Sequence, residues 1–206
     1  MTGTHMLRVA VAILGLATAA LTQSLAAQQR APDSVTAAGV LRASTAVNSV
    51  FVDRTHDGAF VGVGDWASYL MARLGVIPIP PDLRIRVTGD TAKVIMASRL
   101  GDLPWEARRA LGPLVRMFPA ETEVAGEISL SRVAREVVRF RLETVRMNGV
   151  PLPDPLVQSA LFDVGRQYPA LTKSGRDLFV EIPRDALVVL ESGGVRLIGP
   201  PRAPNN

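Results

Sequence analysis

The stretch from Val137 to Tyr168, VVRFRLETVRMNGVPLPDPLVQSALFDVGRQY, constrains the fold more than any other part of the chain. It begins by alternating: Val138, Phe140 and Leu142 fall on one side, and Arg139, Arg141 and Glu143 on the other. Successive side chains of a strand point to opposite faces, so this pattern describes a sheet with one apolar and one wet face. Asn148-Gly149 ends the strand, and Pro151, Pro153 and Pro155 hold the backbone extended until Asp154 caps a helix that has Pro155 at its first position. In that helix Leu156, Val157, Ala160, Leu161 and Val164 recur at helical spacing and form one apolar stripe. The prolines thus turn the chain from the sheet back across its apolar face.

The remaining elements follow the same grammar. Residues 35–47 (VTAAGVLRASTAV) read as a helix capped by Asp33 or Ser34, weakened by Gly39. In residues 50–63, Asp57-Gly58 between two apolar runs signals a hairpin, or else a loop leading into the next helix. Asp65 to Leu74 is a short helix that buries Trp66, Tyr69, Leu70 and Leu74, with Gly75 after its end. A hairpin runs from Leu83–Val87 through Gly89-Asp90 to Ala92–Ser98. Asp102 caps a helix whose face includes Ala107, Leu111, Leu114, Val115 and Phe118, kinked or broken at Gly112-Pro113. Strands at Thr122–Arg132 and Val137–Met147 turn near Arg135-Glu136, a further strand spans Asp177–Ile182, and Leu187–Leu190 and Val195–Ile198 flank Ser192-Gly193-Gly194 as a last hairpin. Antiparallel pairs with helices between them make an α+β domain: a curved antiparallel sheet packed around or against amphipathic helices. Its outer face carries Arg84, Arg86, Glu123, Glu127, Arg139 and Arg141.

The amino terminus sets the expected address. Arg8 precedes an apolar run from Val9 to Leu21, and small residues follow at Ser24, Ala26 and Ala27, the pattern of a secretory signal peptide cut after Ala26 or Ala27. The run is shorter than the roughly 20 residues of a spanning helix. The expected organisation is a signal peptide at 1–26, a flexible mature terminus at 27–34, a single domain at 35–198 and a disordered tail at 199–206, exported to the periplasm or beyond and soluble after cleavage. Removing residues 1–26 takes away Arg8 and no acid, so 23 bases become 22 against 19 acids, a net of +3. In an exported chain this charge favours anionic headgroups or other envelope polyanions over nucleic acid, although it also serves plain solubility. Without cysteine the chain has neither disulfides nor a lipoprotein attachment site, so its stability rests on its core.

Groups that do chemistry are scarce. His56 is the only histidine beyond the expected cleavage site, and its neighbours Asp53, Arg54, Thr55, Asp57 and Gly58 read as a turn and not as a base held in a cleft. Asp53, His56 and Asp57 have no second cluster to complete a metal site. Glu121, Glu123 and Glu127 share a strand face, where pairing with arginines outweighs a role as glycosidase carboxylates. Gly62-Val63-Gly64-Asp65-Trp66-Ala67 matches a dinucleotide fingerprint in form, yet no βαβ unit continues from it. The basic run of Arg132, Arg135, Arg139, Arg141 and Arg146 lacks the aromatic residues that stack nucleic-acid bases. A non-enzymatic protein that needs no metal or cofactor is the expectation.

The short helix DWASYLMARL, the strand pair around LRIRVTGDTAKV and above all the corner VRMNGVPLPDPLV resemble bacterial cell-envelope proteins of the YpmS-like and LmeA-like kind. Those are similar to one half of the tubular lipid-binding (TULIP) fold, a half barrel in which a curved sheet wraps a helix and leaves an apolar groove. The resemblance covers roughly residues 60–198 and leaves Asp102–Pro119 without an assigned place. It implies binding of lipid or another amphiphile by apolar side chains, with Trp66, Leu70, Leu74, Phe140, Leu142, Leu156, Leu161 and Val164 as groove candidates. The same stripes also serve as ordinary core. An adaptor that binds another envelope protein through its charged face or the edge of the last hairpin is the alternative.

Overall fold

The computed structural model describes residues 33–76, 78–79, 81–103, 105–112, 117–166 and 175–201. Contacts gather Pro32–Asn206 into one unit. The expected signal peptide, residues 27–32 and the end of the tail lie outside the described residues.

Helix α1 (Ala37–Val47) opens the unit, and Thr36 caps it in place of Asp33 or Ser34, its hydroxyl accepting from the Gly39 N–H at 2.9 Å. Asp33 and Ser34, expected to be loose, instead run beside the second strand: the N–H of Val87 donates to the Asp33 carbonyl at 2.7 Å, and Ser34 bridges to Arg86. The helix continues into a π-helical turn at Asn48–Val52. No hairpin forms around Asp57-Gly58. Val50 and Phe51 are adjacent and both buried, which a helical turn permits and an alternating strand does not. Strand β1 (Gly58–Gly62) therefore pairs elsewhere, and helix α2 (Val63–Arg73) follows it directly.

Among the described residues there are two antiparallel sheets. The larger contains β2 (Arg86–Gly89), β3 (Lys93–Arg99), β4 (Glu123–Ala134), β5 (Val137–Met147), β6 (Val150–Pro151) and β7 (Asp177–Glu181). Its strands run β2-β3-β4-β5, and the far edge of β5 is shared by β6 at one end and β7 at the other, so the sheet stays open. The smaller sheet has the order β1-β9-β8, where β8 is Leu187–Glu191 and β9 is Gly194–Ile198. The sheets and helices together make an α+β fold, a large open antiparallel sheet with helices, as the sequence implies. Among the described residues no helix is long and apolar enough to cross a membrane.

The alternation in β5 holds up to a bulge. Val138 and Phe140 are 2% and 6% exposed, while Arg139 and Arg141 face the other way. Ile128 then pairs with Leu142 and Glu127 with Thr144, leaving Glu143 as an extra residue. A second irregularity leaves Val133 over in β4. Bulges bend a strand and increase its twist, here in the two longest strands of the sheet. Asn148-Gly149 does more than end β5. Both have positive φ, 46° and 79°, and they form the two-residue turn of a hairpin in which Met147 pairs with Val150.

The helices depart from expectation at their ends. Helix α3 spans Trp105–Ala110, after a 3₁₀ turn at Leu100–Asp102, and Gly112, at φ 61°, breaks the helical run where Gly112-Pro113 was expected to interrupt it. The side chains of Ala107, Leu114 and Val115 lie outside the described residues, while Leu111 is half-buried and Phe118 is exposed. Helix α4 (Asp154–Gly165) starts where expected, but Asp154 does not cap it. The Pro153 carbonyl accepts from the N–H groups of Leu156 and Val157, and the Asp154 carboxylate is taken by Arg176 at 2.9 Å.

Candidate functional site

Helix α2 is the element around which the core is laid. Every residue from Val63 to Ser68 is buried. Its N-terminus has no side-chain cap; the N–H of Val63 donates to the Gly193 carbonyl at 3.0 Å. On its α1 side, the buried Ser68 hydroxyl donates to the Gly64 carbonyl at 2.7 Å and accepts from the Thr36 N–H at 2.9 Å. On its sheet side, the Trp66 ring lies 6.2 Å from that of Phe140 and stacks on Tyr69 at 5.4 Å.

Between α2, strands β3, β4, β5 and β7, and helix α4 lies a pocket of about 180 Å³. Trp66, Leu70 and Leu74 come to it from α2 and its C-cap, Phe140 and Leu142 from β5, and Leu161 from α4. Six of the eight candidate residues therefore meet at one place. Leu156 does not: it is 42% exposed. The buried stripe of α4 runs through Val157 and Leu161, and Leu156 stands one residue, about 100° of helix, outside it. The side chain of Val164 lies outside the described residues. Met71, Val94, Met96, Ile128 and Leu178 also line it and were not singled out from sequence. Leu178 joins it because β7 pairs with β5 and sets Leu178 opposite Phe140, a partnership that local alternation does not reveal.

Among the described residues of the lining, Arg176 alone is charged. Its Nη1 donates to the Glu143 carbonyl at 3.0 Å and its Nη2 to Asp154 at 2.9 Å, so it ties the start of α4 to the bulge of β5. Its Nε and the Trp66 Nε1 are buried without hydrogen-bond partners among the described residues, a cost of about 1–3 kcal/mol each.

Charged residues on the outer face of the large sheet pair with one another. Glu123 meets Arg86 at 2.7 Å, Glu127 accepts from both Lys93 and Arg146 at 3.0 Å, and Asp177 meets Arg141 at 3.3 Å. Glu123 and Glu127, two of the three glutamates considered as glycosidase carboxylates, are engaged there, as are Arg139, Arg141 and Arg146 of the basic run. Lys93 and Arg146 hold the Glu127 carboxyl below the ordinary glutamate range. A wider cleft of about 920 Å³ near Ser34 carries Arg84, Arg86 and Arg99 against Asp102, Glu121 and Glu123, a balance that selects neither sign of ligand. His56 is exposed, with its Nδ1 3.1 Å from the Thr55 hydroxyl. Among the described residues no three His, Cys, Asp or Glu side chains gather as a metal site. The Gly62–Ala67 fingerprint lies where β1 enters α2, and β1 pairs antiparallel with β9, so its context is not a βαβ unit.

Compared with known proteins, the chain matches no family model, no curated protein and no solved structure.

Proposed function

We propose that this chain is an exported, non-enzymatic protein of the cell envelope that takes the apolar end of a lipid or other amphiphile into the pocket walled by Trp66, Leu70, Leu74, Phe140, Leu142 and Leu161. The convergence of those residues around a space of about 180 Å³ carries the reading. An apolar cavity of about 150 Å³ stays dry and accepts a benzene-sized guest, whereas pockets that bury a whole drug-sized molecule run to about 300–1,000 Å³. The occupant is thus the end of a chain, with its headgroup outside. The signal-peptide pattern supports export. The resemblance to a TULIP half barrel supports the ligand class, and an open antiparallel sheet with a buried helix on its apolar face agrees with it.

Native mass spectrometry of protein purified from its own envelope, with apolar dye uptake measured alongside, tests this. A co-purified lipid that the dye displaces is expected. Protein that carries no lipid and takes up no dye overturns the reading.

A second reading has its own support. Strand β8 is an edge of the smaller sheet, and Leu187 and Val189 on it are exposed, which suits an adaptor that binds another envelope protein by strand addition. Cross-linking in intact cells separates the two: one abundant protein adduct through β8 favours the adaptor, and lipid adducts alone oppose it.

A further inference from the structure

The exposed apolar surface repeats one arrangement on two helices. Trp105, at the start of α3, is 55% exposed, and Phe162, near the end of α4, is 64% exposed. An arginine follows each four residues later, on the same side of its helix. The Arg109 guanidinium lies 5.5 Å from the Trp105 ring centre, and that of Arg166 lies 5.6 Å from the ring of Phe162. The two helices pack against each other, so both pairs belong to one helical layer. Arg108 and Arg109 are exposed, and neither forms an ion pair among the described residues; Arg166 meets Asp163.

Large rings left in water are uncommon unless something covers them. An arginine stacked on a ring covers one side and keeps the N–H edge of its planar guanidinium free for oxygen acceptors. A surface that offers an apolar ring beside a phosphate-binding edge matches one environment closely, the headgroup zone of an anionic bilayer. Aromatic rings settle there, and each basic residue adds attraction. Asp163 is paired with Arg166 and Asp154 with Arg176, which leaves Arg108 and Arg109 against Glu106, a local balance of the sign such a surface requires.

We propose that the face formed by α3 and α4 docks on an anionic membrane surface, with Trp105 and Phe162 seated among the headgroups and Arg108, Arg109 and Arg166 bonding their phosphates. This goes beyond the pocket reading and does not depend on it, because the face acts whether or not the pocket is filled.

The chain has two tryptophans, and they separate the test cleanly: Trp66 is buried, Trp105 is exposed, and the apolar amino terminus contains none. Emission of the full chain is followed as phosphatidylcholine vesicles, with or without phosphatidylglycerol, are added. A blue shift with the anionic vesicles is expected, absent in Trp105→Phe and retained in Trp66→Phe. Replacing Arg108, Arg109 and Arg166 with Gln is expected to weaken vesicle affinity by roughly fivefold per charge, with circular dichroism unchanged. The proposal is overturned if Trp105 does not shift, if neutral vesicles shift it equally, or if Trp105→Phe shifts as the unaltered chain does. A shift that rises with protein concentration in the absence of vesicles also overturns it, since a second copy then covers the face.

Discussion

Arg42 grips Asp65 through two parallel hydrogen bonds, Nη2 to Oδ1 at 2.6 Å and Nε to Oδ2 at 2.8 Å, and so ties α1 to α2. The two partners are unequally buried: the Asp65 side chain is 6% exposed and that of Arg42 is 49% exposed. Removing Arg42 strands a carboxylate in the core, whereas removing Asp65 leaves an arginine that can turn to water. Arg42→Ala is expected to cost about 2–3 kcal/mol, below the about 3–5 kcal/mol of a fully buried pair, and Asp65→Asn is expected to cost less. Urea midpoints check the order; equal losses would show that burial does not set the difference.

Gly39 lies in the same contact. A Cβ there would stand 2.7 Å from the Ser68 hydroxyl and 2.9 Å from Asp65 Oδ1, and both groups are fixed by their hydrogen bonds. Gly→Ala in a helix ordinarily stabilises by about 1 kcal/mol. Here Gly39→Ala is expected to destabilise by about 1–3 kcal/mol, and a raised melting temperature would refute the close approach of the two helices.

Glu127 sits between Lys93 and Arg146, and its carboxyl is held below the ordinary value of 4.5 first by the Lys93 hydrogen bond and then by that of Arg146. For a depressed folded value, the stabilisation is fully present above the ordinary value and disappears as pH falls through the folded one. The stability lost in Glu127→Gln should therefore be greatest at neutral pH and shrink progressively below pH 4.5. Asp90, held low by the N–H groups of Ala92 and Lys93, and Glu191, held low by Arg196, titrate in the same sense. The difference between variant and parent isolates Glu127, and a difference that stays constant across that range would remove it from the balance.

Leu161 and Leu156 are five residues apart on α4 and differ in kind. Leu161→Trp is expected to fill the pocket and abolish apolar dye uptake with the fold retained by circular dichroism. Leu156→Ala is expected to change neither uptake nor stability by more than about 0.5 kcal/mol. Loss of uptake in the Leu156 variant would place the dye elsewhere.

At the β5–β6 turn, Asn148 and Gly149 both have positive φ, and no atom lies within 4 Å of a Cβ added at Gly149. The penalty for Gly149→Ala is therefore conformational alone, about 1–2 kcal/mol, and should not change dye uptake. A thermal melt with parallel dye titration tests both halves.

Much of this was legible in the sequence because it is periodic. The faces of β5, the β2–β3 hairpin and the last hairpin follow from side-chain alternation, and the stripe of α2 from helical spacing. The apolar stripes of α2 and β5 were found that way, and the resemblance implied a groove between them. The bulge was not legible: β5 reads as one alternation through Glu143, and its change of phase shows only once Glu127 is paired with Thr144. Non-local pairing was not legible. Nothing within Gly58–Gly62 names β9 as its partner, and nothing within Asp154 tells that Arg176 takes its carboxylate from the helix end. Leu156 was misplaced because two adjacent leucine-like residues at the start of a helix leave its rotation open until a neighbour is packed against one of them.

The pairing of β1 with β9 dictates the order in which the molecule can be completed. Val61 and Val63, early in the chain, and Val195 and Leu197, near its end, belong to one buried cluster. The first strand thus has no partner until the last hairpin has been synthesised, and a contact so distant in sequence closes late and slowly. Until then a chain still on the ribosome holds an unfinished core, open for capture by a chaperone. Its final β-turn is the step that ends that interval.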